Sequence, residues 1–383
     1  MFEITARLLR NQSSVFLCGE TVEVFVTISN HSLPEHRISQ SNIDAMEHLA
    51  WGSVQINGYC KTQHKIKEPV QSLPKTSLNV HENSILSTEP KILFCDLRLA
   101  NGESRTYYYR EQLPPNCPPT YKGIDIKYYY KVTVATQRLG SKVQLLQVPI
   151  RVLPLFNIED KVEPIPAQGD DITNEELTPT NPFLENDRKV VSKVEIALET
   201  LQNITARRRP NFYIITNRRG KIGRFCLFKP SYKLGEDIVG SLDFSCRSVR
   251  CVQLSVTLQC EEILLRNTPK SPVSDKESKS STGKVTNFTK HHEICVGLLQ
   301  TQMILPIPLH VTPSFTTDLV DVRWRLHFQF VTTTSNELMP VDGPTEENWN
   351  GPKSIDIETM VWNLPINIHS TNPTQIFQPQ LLN

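Results

Sequence analysis

Apolar residues recur at every second position in several stretches of this chain, and that period decides most of what it can fold into. Val322, Trp324, Leu326, Phe328 and Phe330 alternate with Arg323, Arg325, His327 and Gln329. Ile126, Tyr128, Tyr130, Val132 and Val134 alternate with Lys127, Tyr129, Lys131, Thr133 and Ala135. The pattern returns at Val252, Leu254, Val256, Leu258 and Cys260, and at Val22, Val24, Val26 and Ile28. Successive side chains of a strand point to opposite faces, so each stretch predicts a strand with one buried and one wet face, as in an antiparallel sandwich. Each fully buried Val, Leu or Phe contributes about 1.5–3 kcal/mol, and a slip of one residue would bury Arg323 and Arg325, so register is strongly specified. Twenty-seven Pro and fifteen Gly, with few helical patterns, agree with many short strands joined by turns. The predicted fold class is all-β.

An internal repeat sets the second constraint. Phe16-Leu17-Cys18-Gly19-Glu20-Thr21-Val22 corresponds to Tyr232-Lys233-Leu234-Gly235-Glu236-Asp237-Ile238, and Val148-Pro149-Ile150-Arg151-Val152 to Leu364-Pro365-Ile366-Asn367-Ile368, both at an offset of 216. Between them, Pro119-Thr120-Tyr121 corresponds to Pro313-Ser314-Phe315 and Tyr128–Val134 to Val322–Phe328, at an offset of 194. The order is the same in both halves, and loop insertions account for the two offsets. Gly-Glu predicts a tight turn into a strand, with Gly at positive φ. A late Pro within an apolar run is tolerated at a sheet edge or bulge.

The predicted domains are therefore 1–157 and 211–371, each a β-sandwich, with a connecting segment 158–210 and a tail 372–383. Net charge is +1 overall but divides into +4 for residues 1–157, −7 for 158–206 and +4 for 207–383. The acidic stretch Ile158–Asp187 reads as a linker. One amphipathic helix follows it. Ser192 and Glu195 have capping-box spacing, Val191 and Ile196 fit a hydrophobic staple, and Val194, Ala197, Leu198, Leu201 and Ile204 recur at helical spacing, ending before Pro210. Lys61–Asn83 and Asn267–Thr286 read as loops, the latter a serine- and lysine-rich candidate for phosphorylation. Near-neutral charge argues against nucleic acid as a partner. No apolar run is long enough to span a bilayer and no secretory signal is evident, so a cytoplasmic protein is expected. Nine cysteines without a CxxC pair read as reduced thiols.

The paired Gly-Glu-x-[Val/Ile] openings, Pro-x-aromatic elements and closing Pro-Ile strands resemble the two immunoglobulin-type β-sandwich domains of the arrestin fold, here joined by the linker with its helix. Ile92–Leu99, Lys221-Ile222-Gly223, Tyr232–Asp237 and Val322–Phe328 further resemble the Rgp-one family. That family is the arrestin-like partner subunit of the two-protein guanine nucleotide exchange factor for the Golgi GTPase Rab-six. The resemblance implies a non-catalytic scaffold that pairs with a large exchange-factor subunit, acts on a Rab-six-type GTPase and touches Golgi membrane peripherally, in retrograde transport. An arrestin-like cargo adaptor, joining membrane proteins to a ubiquitin ligase or retrieval coat, is the alternative.

No catalytic residue, metal site or cofactor is expected. His291-His292-Glu293 lacks the HExxH spacing, and Gly220-Lys221 and Gly283-Lys284 lack a Walker frame. Three surface motifs remain. Pro118-Pro119-Thr120-Tyr121 satisfies the PPxY pattern of WW-domain ligands, but it falls on a repeat element expected to be folded in. Asn181-Pro182-Phe183 is similar to EH-domain ligands and lies in the acidic linker. The third motif is a basic cluster, Arg207, Arg208, Arg209, Arg218, Arg219, Lys221, Arg224 and Lys229, which has no acidic residue within it. Such a cluster could steer an acidic partner or an anionic membrane, or simply be a solvated hairpin turning at Asn217–Gly220.

Overall fold

The computed structural model describes residues 2–10, 13–31, 46–62, 81–155, 193–206, 209–265, 283–335 and 354–376. In the first half lie β1 (Phe2–Leu8), β2 (Val15–Leu17), β3 (Thr21–Asn30), β4 (Glu47–Thr62), β5 (His81–Ser87), β6 (Lys91–Leu99), β7 (Ser104–Gln112), β8 (Tyr121–Lys122), β9 (Ile126–Arg138) and β10 (Gln144–Leu153). The helix α1 (Lys193–Ala206) precedes the second half, which holds β11 (Asn211–Asn217), β12 (Gly220–Leu227), β13 (Ser231–Lys233), β14 (Asp237–Asp243), β15 (Arg250–Leu264), β16 (Lys284–Ile294), β17 (Gln300–Pro306), β18 (Phe315–Thr316), β19 (Val320–Thr333) and β20 (Ile357–His369).

Each half contains one small and one large sheet. In the first, β1-β3-β7 faces β2-β10-β9-β4-β5, with β6 on β4 and β8 on β9; in the second, β11-β12-β14-β17 faces β13-β20-β19-β15-β16, with β18 on β19. The alternating residues face as their period requires. Val22, Val24, Val26 and Ile28 of the small sheet meet Val54, Ile56, Val132 and Val134 of the large one in a single buried cluster, and Val322, Trp324, Leu326, Phe328 and Phe330 are all buried in the second half.

The repeat is preserved at the level of single hydrogen bonds. β2 runs parallel to β10 and β13 parallel to β20, with Phe16 opposite Val152 and Tyr232 opposite Ile368. Gly19 and Gly235 turn at φ +81° and +83°, the region open to glycine. After each turn the glutamate reaches back: Glu20 accepts from the Leu17 amide and Glu236 from the Lys233 amide, each at 2.8 Å. A cation completes both modules, Arg10 lying over Phe16 and pairing with Glu20, Lys229 lying over Tyr232 and pairing with Glu236. Tyr130 donates its hydroxyl to the Pro118 carbonyl, and at the equivalent positions the Trp324 indole donates to the Thr312 carbonyl. Pro149 and Pro365 lie in strands flanked on both sides, not at sheet edges. They are tolerated because β2 and β13 pair only with 151–153 and 367–369, leaving that side of the strand open at each proline.

α1 buries Ala197, Leu201 and Thr205 and leaves Ile196 exposed; Val191 and Ser192, which complete the expected staple and capping box, lie outside the described residues. The Lys229 ammonium donates to the Thr205 carbonyl at the helix C-terminus, where a cation also complements the macrodipole. Part of the expected tail is packed: Pro373–Gln375 form a short 3-10 turn and Ile376 is buried. The halves share a core, because Tyr121, Ile126 and Tyr128 join the second-half cluster.

Candidate functional site

Two regions concentrate side chains that folding of the sandwiches does not by itself require, and the first, at the surface, is the β11–β12 hairpin. Its turn is closed by Asn217, whose Oδ1 accepts from the Arg219 and Gly220 amides and whose Nδ2 donates to Thr332 and Glu358. Much of the basic cluster is neutralised there. Arg219 pairs with Asp356 at 2.8 Å and Glu358 at 3.2 Å, and the Asp356 bond raises its affinity for the proton further. Arg224 pairs with Asp243 at 3.1 Å; the Ser245 hydroxyl and amide, with help from Arg224, hold that carboxyl below its usual range. Lys229 is taken by Glu236 and α1. Arg209 and Arg218 remain exposed and Lys221 half-exposed, without ion pairs among the described residues. Arg207 and Arg208 lie outside the described residues.

The same face carries apolar groups that charge-based reading missed. Phe212 and Ile214 of β11 are 61% and 68% exposed, and Ile304 of β17 is 57% exposed. Tyr213, between the first two, points inward against Phe225 and Trp362. The signal in the sequence is that Phe212–Ile215 is apolar on both faces of an outermost strand, where one apolar face would suffice. Arg224 lies 5.5 Å from the Phe212 ring centroid, so the surface is mixed apolar and cationic.

The second region is the junction of the halves. Glu262 of β15 is buried, and its carboxylate accepts from the amides of Ile124 (2.6 Å), Asp125 (3.0 Å) and Ile126 (3.2 Å) and from the Tyr121 hydroxyl (3.2 Å). Lys284 pairs with the buried Asp125 at 2.6 Å. Tyr121 and its repeat equivalent Phe315 meet edge to face, 5.2 Å between centroids. Arg151 donates to the Leu309 and Val311 carbonyls, and Thr312 to the Thr120 carbonyl. Tyr121 is thus 8% exposed and Pro119 buried, so the PPxY tetrapeptide is part of the junction rather than a displayed ligand. Burial, then the nearby Cys260 and Glu262, push the Tyr121 phenol well above its ordinary range. Among the described residues, these junction groups are hydrogen-bonded or ion-paired to one another.

Among the described residues, no group of three or more His, Cys, Asp and Glu is placed to hold a metal ion, and no helix is long and apolar enough to cross a membrane. His291 lies 3.6 Å from Glu293 on β16. All nine cysteines are free thiols. Asn181-Pro182-Phe183 lies outside the described residues.

Comparison with known proteins bears on the whole length. The Rgp1 family profile matches residues 26–165 and 159–333. The human RAB6A-GEF complex partner protein 2 is 39% identical, over 98% of this chain and 96% of the relative, and the bovine protein of that name is 38% identical over 99% and 96%. Matches this extensive cover both halves, the turns at Gly19 and Gly235 and the junction between them, and on that ground the chain belongs to the Rgp1 family.

Proposed function

We propose that this chain is a non-catalytic partner subunit of a heterodimeric guanine nucleotide exchange factor that activates a Rab-six-type GTPase. The observation that carries the reading is the near-full-length similarity to RAB6A-GEF complex partner protein 2. The chain is read as two tandem arrestin-like sandwiches, 1–157 and 211–371, working in the cytoplasm at the Golgi membrane and supporting retrograde transport. Exchange requires only that the assembled complex bind the nucleotide-free GTPase more tightly than its GDP form, so a subunit can contribute by scaffolding alone. The face assigned to the large partner is the outer face of the β11-β12-β14-β17 sheet, with Phe212 and Ile214 on one edge strand, Ile304 on the other, and Arg218 and Lys221 at the β11–β12 turn. Apolar groups left exposed in the isolated chain are what such an interface covers, while the cations favour encounter with an acidic surface. The test is GDP release from the GTPase with this chain alone, with the large subunit alone and with both. Activity is expected only where the large subunit is present and is expected to rise with the pair; full exchange by this chain alone overturns the scaffold reading. Ile214→Asp with Arg218→Glu should lower recovery of the pair.

A further inference from the structure

One row of the large first-half sheet carries a charge pattern that sheet formation disfavours. Lys122 of β8 lies opposite Lys127 of β9, which lies opposite Lys61 of β4. Like charges directly opposite one another destabilise a pair of strands. Beyond Lys61 the register brings Glu82 of β5, so this row of four has a formal charge of +2. Among the described residues none of the three lysines makes an ion pair. On the same face Tyr59 and Tyr129 stack at 5.3 Å. Lys127 stands 5.2 Å from the Tyr129 centroid, and Lys131 stands 5.5 and 5.9 Å from those of Tyr129 and Tyr59.

The second half shows that the architecture does not need these cations. At the equivalent positions the row reads Thr316, Asp321 and Ile263. Asp321 accepts from the Thr316 hydroxyl at 2.9 Å and pairs with Arg323 at 2.6 Å, while Arg325, the counterpart of Lys131, pairs with Glu261 at 3.5 Å. One copy of the sheet neutralises its outer face internally and the other leaves it positive.

We propose that this first-half face binds an extended acidic segment of a partner polypeptide. Along β9, Lys127, Tyr129 and Lys131 present cation, ring and cation at alternate positions, about 6.8 Å apart. An extended chain of the form acidic-x-apolar-x-acidic has the same spacing, so its carboxylates meet the lysines and its apolar side chain lies on the tyrosines. A peptide fits better than a bilayer because the rings are half-buried between strands, whereas peripheral insertion draws on protruding apolar groups.

The experiment uses the full chain and no GTPase, so its outcome is separate from the exchange-factor reading. A fluorescein-labelled peptide of four Glu-Ser-Leu-Ser units is titrated by anisotropy, beside its Glu→Gln counterpart and vesicles of 30% phosphatidylserine in phosphatidylcholine. The acidic peptide is expected to bind, the Gln peptide at least tenfold more weakly, with an affinity that falls as salt is added. Lys122→Glu with Lys127→Glu should lose at least tenfold, whereas Lys142→Glu with Lys290→Glu, the same charge change elsewhere, should lose less than threefold. Lys122→Gln separates binding from folding: it should weaken binding while leaving Tm equal to or above the parent's. The proposal is overturned by absent peptide binding, by equal losses in the two charge-reversal variants, by a lower Tm in Lys122→Gln, or by vesicle binding that the Lys122 and Lys127 changes abolish while peptide binding persists.

Discussion

Glu262 is the residue on which most local structure converges. It is a buried carboxylate whose four hydrogen bonds come from three consecutive amides and a phenol. Removing such an acceptor leaves buried donors unmatched, each costing about 1–3 kcal/mol. Glu262→Ala is therefore expected to destabilise the full chain by about 3 kcal/mol or more, and Glu262→Gln by less, since one oxygen still accepts; urea denaturation measures both. Trp324 gives a second case. Its indole bond to the Thr312 carbonyl occupies the place of the Tyr130 hydroxyl bond to Pro118. Trp324→Phe keeps an aromatic ring but forfeits that bond, and a loss of about 1–2 kcal/mol is expected in the same assay. Neither role was legible in the sequence. Glu262 continues the buried parity of Leu254–Cys260, so the alternation puts a carboxylate on the core face, but only the approach of the 121–126 segment from the other half gives it donors.

The repeated Gly-Glu turn governs the behaviour of whole elements. Gly235 takes positive φ and an added Cβ would stand 2.7 Å from Leu309 Cδ2, whereas Gly19 has the same φ with its nearest neighbours at 3.7 Å. Gly235→Ala should therefore cost more than Gly19→Ala, the latter about 1 kcal/mol from backbone strain alone, a difference that paired thermal melts will resolve. Lys229 ties the second turn to α1 through Glu236 and the Thr205 carbonyl. Lys229→Met, which keeps the stem, should release the end of the helix and raise amide exchange in residues 202–206 before it alters β13. The turns, the alternating strands and the helix from Lys193 to Ala206 were readable in advance because they follow from local periodicity and backbone constraint. Less readable was the exposure of Phe212 and Ile214: an edge strand that is apolar on both faces looks, in sequence, like a central one.

At the scale of the molecule, the two halves are coupled by shared burial and by bonds that cross between them. Tyr121 packs on Phe315, Arg151 reaches two second-half carbonyls, and Glu262 caps the first-half loop. A single calorimetric unfolding transition is expected for the parent chain. Arg151→Ala combined with Glu262→Ala should weaken this coupling and broaden or split the transition; one undivided transition in that variant would show that the shared core and the remaining crossing bonds suffice. Period-two alternation, the doubled motifs and the Gly-Glu turns determined an all-β chain built twice from one plan, because those signals arise from neighbours along the backbone. How the two copies meet, which cations are neutralised and which stay free, and whether the PPxY tetrapeptide faces solvent were decided by tertiary structure. Those outcomes depend on side chains brought together in space, whether 7 residues apart, as Lys229 and Glu236 are, or 141, as Tyr121 and Glu262 are, and only packing sets which of them come within hydrogen-bonding distance.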